Sequence, residues 1–226
     1  YPAYKANREP APPGLRQQFG RCREVVRALG LAGHADSAFE ADDLIATLAA
    51  RAHAAGESVT ILSRDKDLAQ VLRPGDVLWD YPSGRRIAHG DVPRVYGVRA
   101  EQIADFLALT GDAVDNIPGV RGVGPKTAAA LLRHFAGIDE IYANLGAVAR
   151  LKIRAAPALA ERLRSQREAA ELALRLTRLR RDAPLPAGPE ALRRQLPDLE
   201  GLEALYDQAG FGEALRRQAR RLAAGG

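Results

Sequence analysis

Three short acidic clusters, Glu40-Ala-Asp42-Asp43, Asp65-Lys-Asp67 and Asp112-Ala-Val-Asp115, concentrate seven carboxylates in a chain whose formal net charge is +5. Like charges at this density repel one another unless protons or cations hold them, so compensating charge is needed wherever the clusters meet. From Phe39 to Ala50 the apolar residues recur with helical period, which sets Glu40 and Asp43 three apart on one face of a first turn. Acids there also suit the helix dipole. Ser58 to Leu62 reads as a short buried strand, and Asp65 and Asp67 follow it directly, where open parallel sheets present ligand-binding residues. Asp112 and Asp115 follow the apolar run Ile103 to Leu109 and precede Asn116-Ile-Pro-Gly, a helix end passing into a turn.

Oxygen donors without His or Cys favour a hard divalent ion, Mg²⁺ or Mn²⁺, over zinc. Taken singly, each cluster also has a plainer use. Glu40 and Asp42 suit helix capping, Asp65-Lys-Asp67 suits a capped loop with a local ion pair, and Asp112 and Asp115 suit Asx-turns. Their joint occurrence with the segment Gly119-Val-Arg-Gly122-Val-Gly124-Pro-Lys126-Thr127 favours chemistry. That segment is a glycine-rich turn opening a helical run, and its backbone N–H groups together with Lys126 form an anion site suited to a nucleic acid phosphate. It reads as a helix-hairpin-helix. The P-loop pattern fails, because Pro125 separates Gly124 from Lys126.

Over nearly its whole length the chain resembles the 5′ nuclease family: the 5′→3′ exonuclease domain of bacterial DNA polymerase I, its stand-alone and phage relatives and, more distantly, eukaryotic flap endonucleases. The strings that carry the resemblance are Tyr4-Lys5-Ala6-Asn7-Arg8, Glu40-Ala-Asp-Asp43, Asp65-Lys-Asp67, Gly111-Asp112-Ala-Val-Asp115-Asn116-Ile-Pro-Gly and Gly122-Val123-Gly124-Pro-Lys126-Thr127, in matching order and spacing. The resemblance implies a PIN-like, Rossmann-like α/β nuclease core followed by a helical region containing the hairpin. It implies two or more divalent ions. Glu40 and Asp42 match ligands of one ion, with Asp43 an additional acid. Asp65, Asp67 and Asp115 match ligands of the second, and Asp112 an acid acting through water. Lys5 and Arg8 match basic residues contacting the phosphate near the scissile bond at the base of a helical arch. Gly122 to Thr127 matches the duplex-gripping hairpin, which often holds a monovalent cation such as K⁺. The partners implied are DNA with 5′ ends or 5′ flaps and a DNA polymerase in cis or in trans, in replication and repair. The family also carries two aspartates on strands upstream of the Tyr-Lys-Ala-Asn-Arg string. Here that string begins at Tyr4, so we expect a first-ion site short of those ligands.

Punctuation divides the chain into a partial α/β core over residues 1–98 and a helical DNA-binding region over 99–226, with the hairpin at about 117–133. Within the first part, the Pro-rich stretch Glu9 to Gly14 and a helix from about Leu15 to Leu29 match the family's arch, while the Pro and Gly equally suit an ordinary surface loop. Val77 to Tyr81 reads as a strand and Gly84 as a hairpin turn. The second part breaks at Gly119 to Pro125, Ala183 to Pro189 and Gly210. Trp79 and Phe135 read as core, and the four His show no metal spacing. The single Cys22 forms no internal disulfide and reads as a semi-buried helix side chain. The arginine groups Arg178 to Arg181, Arg193-Arg194 and Arg216 to Arg221 suit either phosphate tracking or solvated helix faces. No apolar run reaches the roughly 18 residues of a membrane span. We therefore expect a cytoplasmic, nucleoid-associated monomer without a membrane partner, acting as a metal-dependent 5′→3′ exonuclease and 5′-flap endonuclease. The competing reading is a non-catalytic structure-selective DNA-binding module. An RNA-directed nuclease of PIN-like fold is weaker, since such enzymes generally lack the hairpin.

Overall fold

A computed structural model describes residues 1–186 and 192–225. The part of the expected Ala183 to Pro189 break that falls at 187–189, and the terminal Gly226, lie outside the described residues. The chain divides into two compact units: Tyr1–Arg8 with Ala41–Ala183, and Glu9–Glu40 with Pro184–Gly226.

The first unit carries a three-stranded sheet in the order β1 (Thr60–Leu62), β2 (Val77–Asp80), β3 (Arg85–Ala88). β1 pairs parallel to β2 in the register Ile61 with Leu78, and β2 pairs antiparallel to β3 in the register Leu78 with Ile87. Ile61, Leu78 and Ile87 are buried while their strand neighbours are not, as the two-residue strand period requires. Gly84, at φ 70°, supplies the left-handed residue of the β2–β3 hairpin, and Ser83 Oγ donates to Asp80 Oδ2 at 2.6 Å across it. β1 corrects the sequence expectation of a buried strand. Only Ile61 is buried and Leu62 is 60% exposed, because β1 is an edge of this sheet and its outer face is uncovered. Trp79 is also less buried than expected: its ring lies under the Arg86 guanidinium, 4.0 Å from the ring centre, and beside Tyr81. Phe135 is buried, as expected.

Around the sheet are α2 (Ala41–Ala54), α3 (Val92–Tyr96), α4 (Ile103–Thr110), α5 (Pro125–His134), α6 (Ile138–Ala143), α7 (Leu145–Val148), α8 (Ala156–Ser165) and α9 (Arg167–Thr177), with a 3₁₀ turn over Lys66–Val71. The core runs continuously from Leu68 and Leu72 through Leu109 to Leu131, Leu132, Ile138, Ile141 and Leu163, each at most 2% exposed. Each fully buried leucine or isoleucine contributes about 2 kcal/mol by removal from water. α4 packs closely on α9, and both bury small residues, Ala104 and Ala108 on α4 and Ala170 and Ala173 on α9. Thr177 Oγ1 donates to Ala104 O at 3.1 Å where the two meet.

The second unit comprises α1 (Pro13–Ala28), α10 (Leu199–Ala209) and α11 (Glu213–Ala223). Its buried residues are Leu202, Tyr206 and Ala219, flanked by Val25, Ala28 and Leu29. α1 buries none of its side chains, and Cys22 is exposed rather than semi-buried, since the apolar face of this helix is only partly covered. Arg216, on α11, pairs with Glu203 and with Asp207 (2.7 Å) on α10, and Arg220 pairs with Glu203 across the helices (3.6 Å) and with Glu213 on its own helix (3.3 Å). Two of the C-terminal arginines thus lace helices together, while Arg217 and Arg221 remain exposed.

Asp76 fixes the approach to β2. Its carboxylate, fully buried, accepts from Val59 N (2.8 Å), Arg73 N (2.7 Å) and His53 Nε2 (2.7 Å), joining α2 to the segments before β1 and β2. Replacing it leaves three part-buried donors without that acceptor. We expect Asp76→Ala to lower unfolding free energy by about 3 kcal/mol, read as a reduced urea midpoint; a loss under about 1 kcal/mol would show that water replaces the carboxylate.

Candidate nuclease site

β1 delivers Ser63 and Arg64 into a turn where the Asp65 side chain caps the 3₁₀ turn, Oδ1 accepting from Asp67 N at 3.0 Å. Capping satisfies a backbone donor that the turn itself leaves unpaired. α4 ends at Gly111, φ 77°, and the chain doubles back so that Asp112 and Ile117 pair through both backbone groups, at 3.0 and 2.8 Å. Inside that loop Asp112 Oδ1 accepts from Val114 N at 2.8 Å, an Asx-turn. The two turns face each other and form a cleft of about 320 Å³ lined by Arg8, Arg64, Asp65, Lys66, Asp67, Asp112, Val114 and Asp115. The N-terminal segment closes one side. Lys5 N donates to Asp115 O (2.9 Å), Asn7 Nδ2 to Ala113 O (3.0 Å) and Asn116 Nδ2 to Ala3 O (2.7 Å).

Cations occupy the spaces between the carboxylates. Lys66 Nζ stands 2.5 Å from Asp112 Oδ2 and 3.3 Å from Asp67 Oδ1, and Arg8 and Lys5 both reach Asp115, Lys5 at 3.7 Å. Asp67 is pushed up to about 6, by burial first and by the neighbouring Asp65 and Asp112 charges, against the lowering pull of Lys66. Burial acts the same way on Asp112, but the Lys66 hydrogen bond and the Val114 N–H outweigh it and hold the carboxyl below the usual range. Lys66 is raised in turn: burial works against its charge, and Asp112 and Asp67 prevail. Asp67 Oδ1 is buried without a well-directed hydrogen bond, an acceptor whose ionised form is stabilised by further positive charge.

The structure therefore brings together Asp65, Asp67, Asp112 and Asp115 with Arg8 and Lys5. Asp42 and Asp43 lie in the first turn of α2 and are not among the residues lining this cleft. Glu40 belongs to the second unit and stands just before α2 instead of on its first turn. Asp43 Oδ1 accepts from Arg180 N at 2.8 Å. Among the described residues no three His, Cys, Asp or Glu side chains form a ready-made metal cage. The cleft nonetheless fits a hard divalent ion in chemistry: all-oxygen donors, an under-satisfied buried carboxylate oxygen, and an ammonium standing where positive charge is required. Lys66 itself was not singled out by sequence reasoning, although its place between two aspartates was the available signal.

The hairpin follows without interruption. Val120 and Val123 are buried and anchor the turn, while Gly122, Gly124 and Lys126 are exposed and Thr127 is half-buried. Gly122, at φ 84°, lies under the Arg162 guanidinium, which donates to Gly122 O at 3.2 Å. Pro125 and Lys126 open α5. Gly119 sits against the end of α4 so closely that an added Cβ would lie 2.2 Å from Gly111 N and 2.4 Å from Thr110 C.

An α/β core in which acids from the turn after β1 and from the loop after α4 converge in an open cleft, joined to a helical hairpin with an exposed glycine-rich turn, defines a nuclease-type architecture. Comparison with known proteins agrees. Residues 1–97 match the model for the 5′–3′ exonuclease N-terminal resolvase-like domain, and residues 98–200 match that for its C-terminal SAM fold. The chain belongs to the 5′–3′ exonuclease family. It is 44% identical over 154 residues to DNA polymerase I of Rhizobium leguminosarum, a match covering 68% of this chain and 15% of that protein. It is 40% identical over 144 residues to the flap endonuclease Xni of Serratia proteamaculans, covering 64% of this chain and 57% of that one. Among solved structures, the D15 protein of phage T5 co-crystallised with metal ions aligns at TM-score 0.65 and 20% identity, covering 98% of this chain and 78% of that chain. The catalytic core of Rad2 in complex with DNA aligns at 0.56 and 12% identity, over 96% of this chain and 71% of that chain. These likenesses establish the expected PIN-like core and helical region. The chain spans less than a fifth of the polymerase relatives it matches and a little over half of the endonuclease.

The close approach at Gly119 yields a paired test. Gly119→Ala should cost on the order of 3 kcal/mol, because backbone atoms must move, whereas Gly124→Ala, whose Cβ meets open space, should stay within about 0.5 kcal/mol. Thermal unfolding of both variants checks the contrast; equal losses would remove the packing argument.

Proposed function

We propose that this chain is a metal-dependent, structure-specific 5′ nuclease module that hydrolyses phosphodiester bonds in DNA near 5′ ends and at 5′ flaps. The observation that carries the reading is the convergence of Asp65, Asp67, Asp112 and Asp115 with Arg8 and Lys5 in one open cleft. In hydrolysis a water oxygen forms the new bond to phosphorus, the ester P–O bond breaks, the water gives up a proton and the departing oxygen acquires one. The family's divalent ions, Mg²⁺ or Mn²⁺, supply an activated water and neutralise charge on the phosphate when bound. Asp65, Asp67 and Asp115 would hold one such ion, with Asp112 through water; Glu40, Asp42 and Asp43 are the remaining candidate ligands. Arg8 and Lys5, now on Asp115, meet a second acceptor when a substrate phosphate enters the cleft, and orient it by charge-assisted hydrogen bonds. Gly122, Val123, Gly124, Lys126 and Thr127 would hold a duplex phosphate on exposed backbone donors and the Lys126 ammonium, with K⁺ as a candidate bridging ion.

The wider setting follows from the same reading: a cytoplasmic, nucleoid-associated monomer in replication and repair, with a DNA polymerase in cis or in trans. No described helix is long and apolar enough to cross a membrane.

The direct test is cleavage of an end-labelled 5′-flap duplex with Mg²⁺ and with chelator, alongside Asp115→Asn. Mg²⁺-dependent cutting that the variant loses, with flap affinity kept or raised as a negative charge leaves the phosphate's neighbourhood, supports the reading. Binding of the flap without cutting by either protein favours the non-catalytic module instead. For the hairpin, Lys126→Ala should weaken DNA binding across sequences alike and flatten the plot of log affinity against log salt by about one unit. A sequence-selective loss would contradict a phosphate contact.

A further inference from the structure

Behind the acidic cleft the 3₁₀ turn that carries Asp67 is gripped by one buried amide. Gln70 is 6% exposed. Its Nε2 donates to Asp67 O at 3.0 Å and to Thr177 O at 3.0 Å, and its Oε1 accepts from Leu179 N at 3.1 Å. Arg181 adds a bond from Nη2 to Gln70 O at 3.2 Å. A single side chain thus ties the main chain of Asp67 to the C-terminal end of α9 and to the segment that follows it, 107 residues away in sequence. Asp67 N is meanwhile held from the other side by Asp65. With its N–H and its C=O both bonded, Asp67 has little backbone freedom, and its carboxylate points into the cleft beside Lys66.

We propose that Gln70 is a positioning residue for the nuclease site: it fixes the Asp67 carboxylate through the Asp67 carbonyl, so that the end of α9 sets the geometry of a divalent-ion ligand. The inference rests on the reading of Asp67 as such a ligand. Glutamine fits the role because one amide offers two donors and one acceptor, and all three requirements here are backbone groups. Leucine fills similar volume and meets none of them. Buried polar groups that orient a ligand typically change metal affinity about 10–100-fold when removed.

A second buried glutamine supplies the control. Gln102, 2% exposed, sits on a segment that packs against the same turn, but its side chain bonds elsewhere: Nε2 donates to Leu132 O (2.7 Å), Phe135 O (3.0 Å) and Ala136 O (3.2 Å), and Oε1 accepts from Arg99 N (3.3 Å). Gln70→Leu and Gln102→Leu should both lower the melting temperature. At a temperature where both remain folded, Mn²⁺ titration followed by electron paramagnetic resonance should show affinity reduced about tenfold in Gln70→Leu and unchanged in Gln102→Leu. Amide exchange at Asp67 and Leu68 should accelerate in Gln70→Leu alone. Equal Mn²⁺ affinity in the parent chain and Gln70→Leu overturns the positioning role while leaving the nuclease reading intact. Failure of the parent chain to bind Mn²⁺ in a manner abolished by Asp67→Asn overturns both. Parallel losses in the two leucine variants reduce Gln70 to a stabilising core residue and overturn the proposal as well.

Discussion

The ammonium of Lys66, set between Asp67 and Asp112, is the interaction on which the cleft depends. Asp67 comes from the turn after β1 and Asp112 from the loop after α4, so without positive charge between them two elements of the same site repel each other at short range. Asp67 shows the residual strain, its carboxyl pushed up to about 6 by burial and its acidic neighbours even with Lys66 present. Asp115 is balanced separately, by Arg8 and Lys5 from the N-terminal segment. Basic residues therefore do local work here that the formal charge of +5 does not reveal. Arg8, whose side chain is half exposed, is the partner an incoming phosphate can share at small cost.

A second constraint is steric. Gly119 packs against Gly111 and Thr110 with no room for a side chain, and Val120 N donates to Leu109 O at 2.9 Å beside that contact. The loop bearing Asp112 and Asp115 begins at Gly111 and ends at this same contact, and the hairpin turn begins where the loop ends. Acids and hairpin turn are consequently two ends of one short, tightly closed piece of backbone between α4 and α5. A substrate phosphate held at Lys126 and a scissile phosphate at Asp115 would be separated by a distance the protein fixes, which is how positioning far from the reacting atoms lowers a barrier.

Much of this was legible because it is local. Helical period, strand length and the punctuation at Gly84 and at Gly119 to Pro125 place β2, β3, α4 and α5 close to where they stand. The grouping of Asp65, Asp67, Asp112 and Asp115 was legible only through their position after elements that share a core, together with resemblance. What escaped was long-range. Burial of β1 depends on what covers its edge, and Leu62 is exposed although its sequence reads as core. Trp79 meets Arg86 and Tyr81 across the sheet, pairings fixed by strand register that no local window contains. Cys22 sits on an amphipathic helix whose partners number only a few residues. Gln70 gave no signal at all, since its partners Thr177 and Leu179 are more than a hundred residues distant.

In the clusters a plain structural role and a chemical one are compatible. A carboxylate has two oxygens, and the structural job uses one of them. Asp65 caps the Asp67 N–H through Oδ1, and Asp112 closes its Asx-turn through Oδ1 while Oδ2 meets Lys66. In each case the backbone bond removes the rotational freedom of the side chain and aims the other oxygen into the cleft. A freely rotating acid would lose that freedom on binding a cation and bind it correspondingly more weakly. The features that make these residues good turn formers are thus the ones that would preorganise them as ligands of a divalent ion. A short turn-forming acid after a strand or helix end is evidence for a site when several such turns face one another across the same cleft.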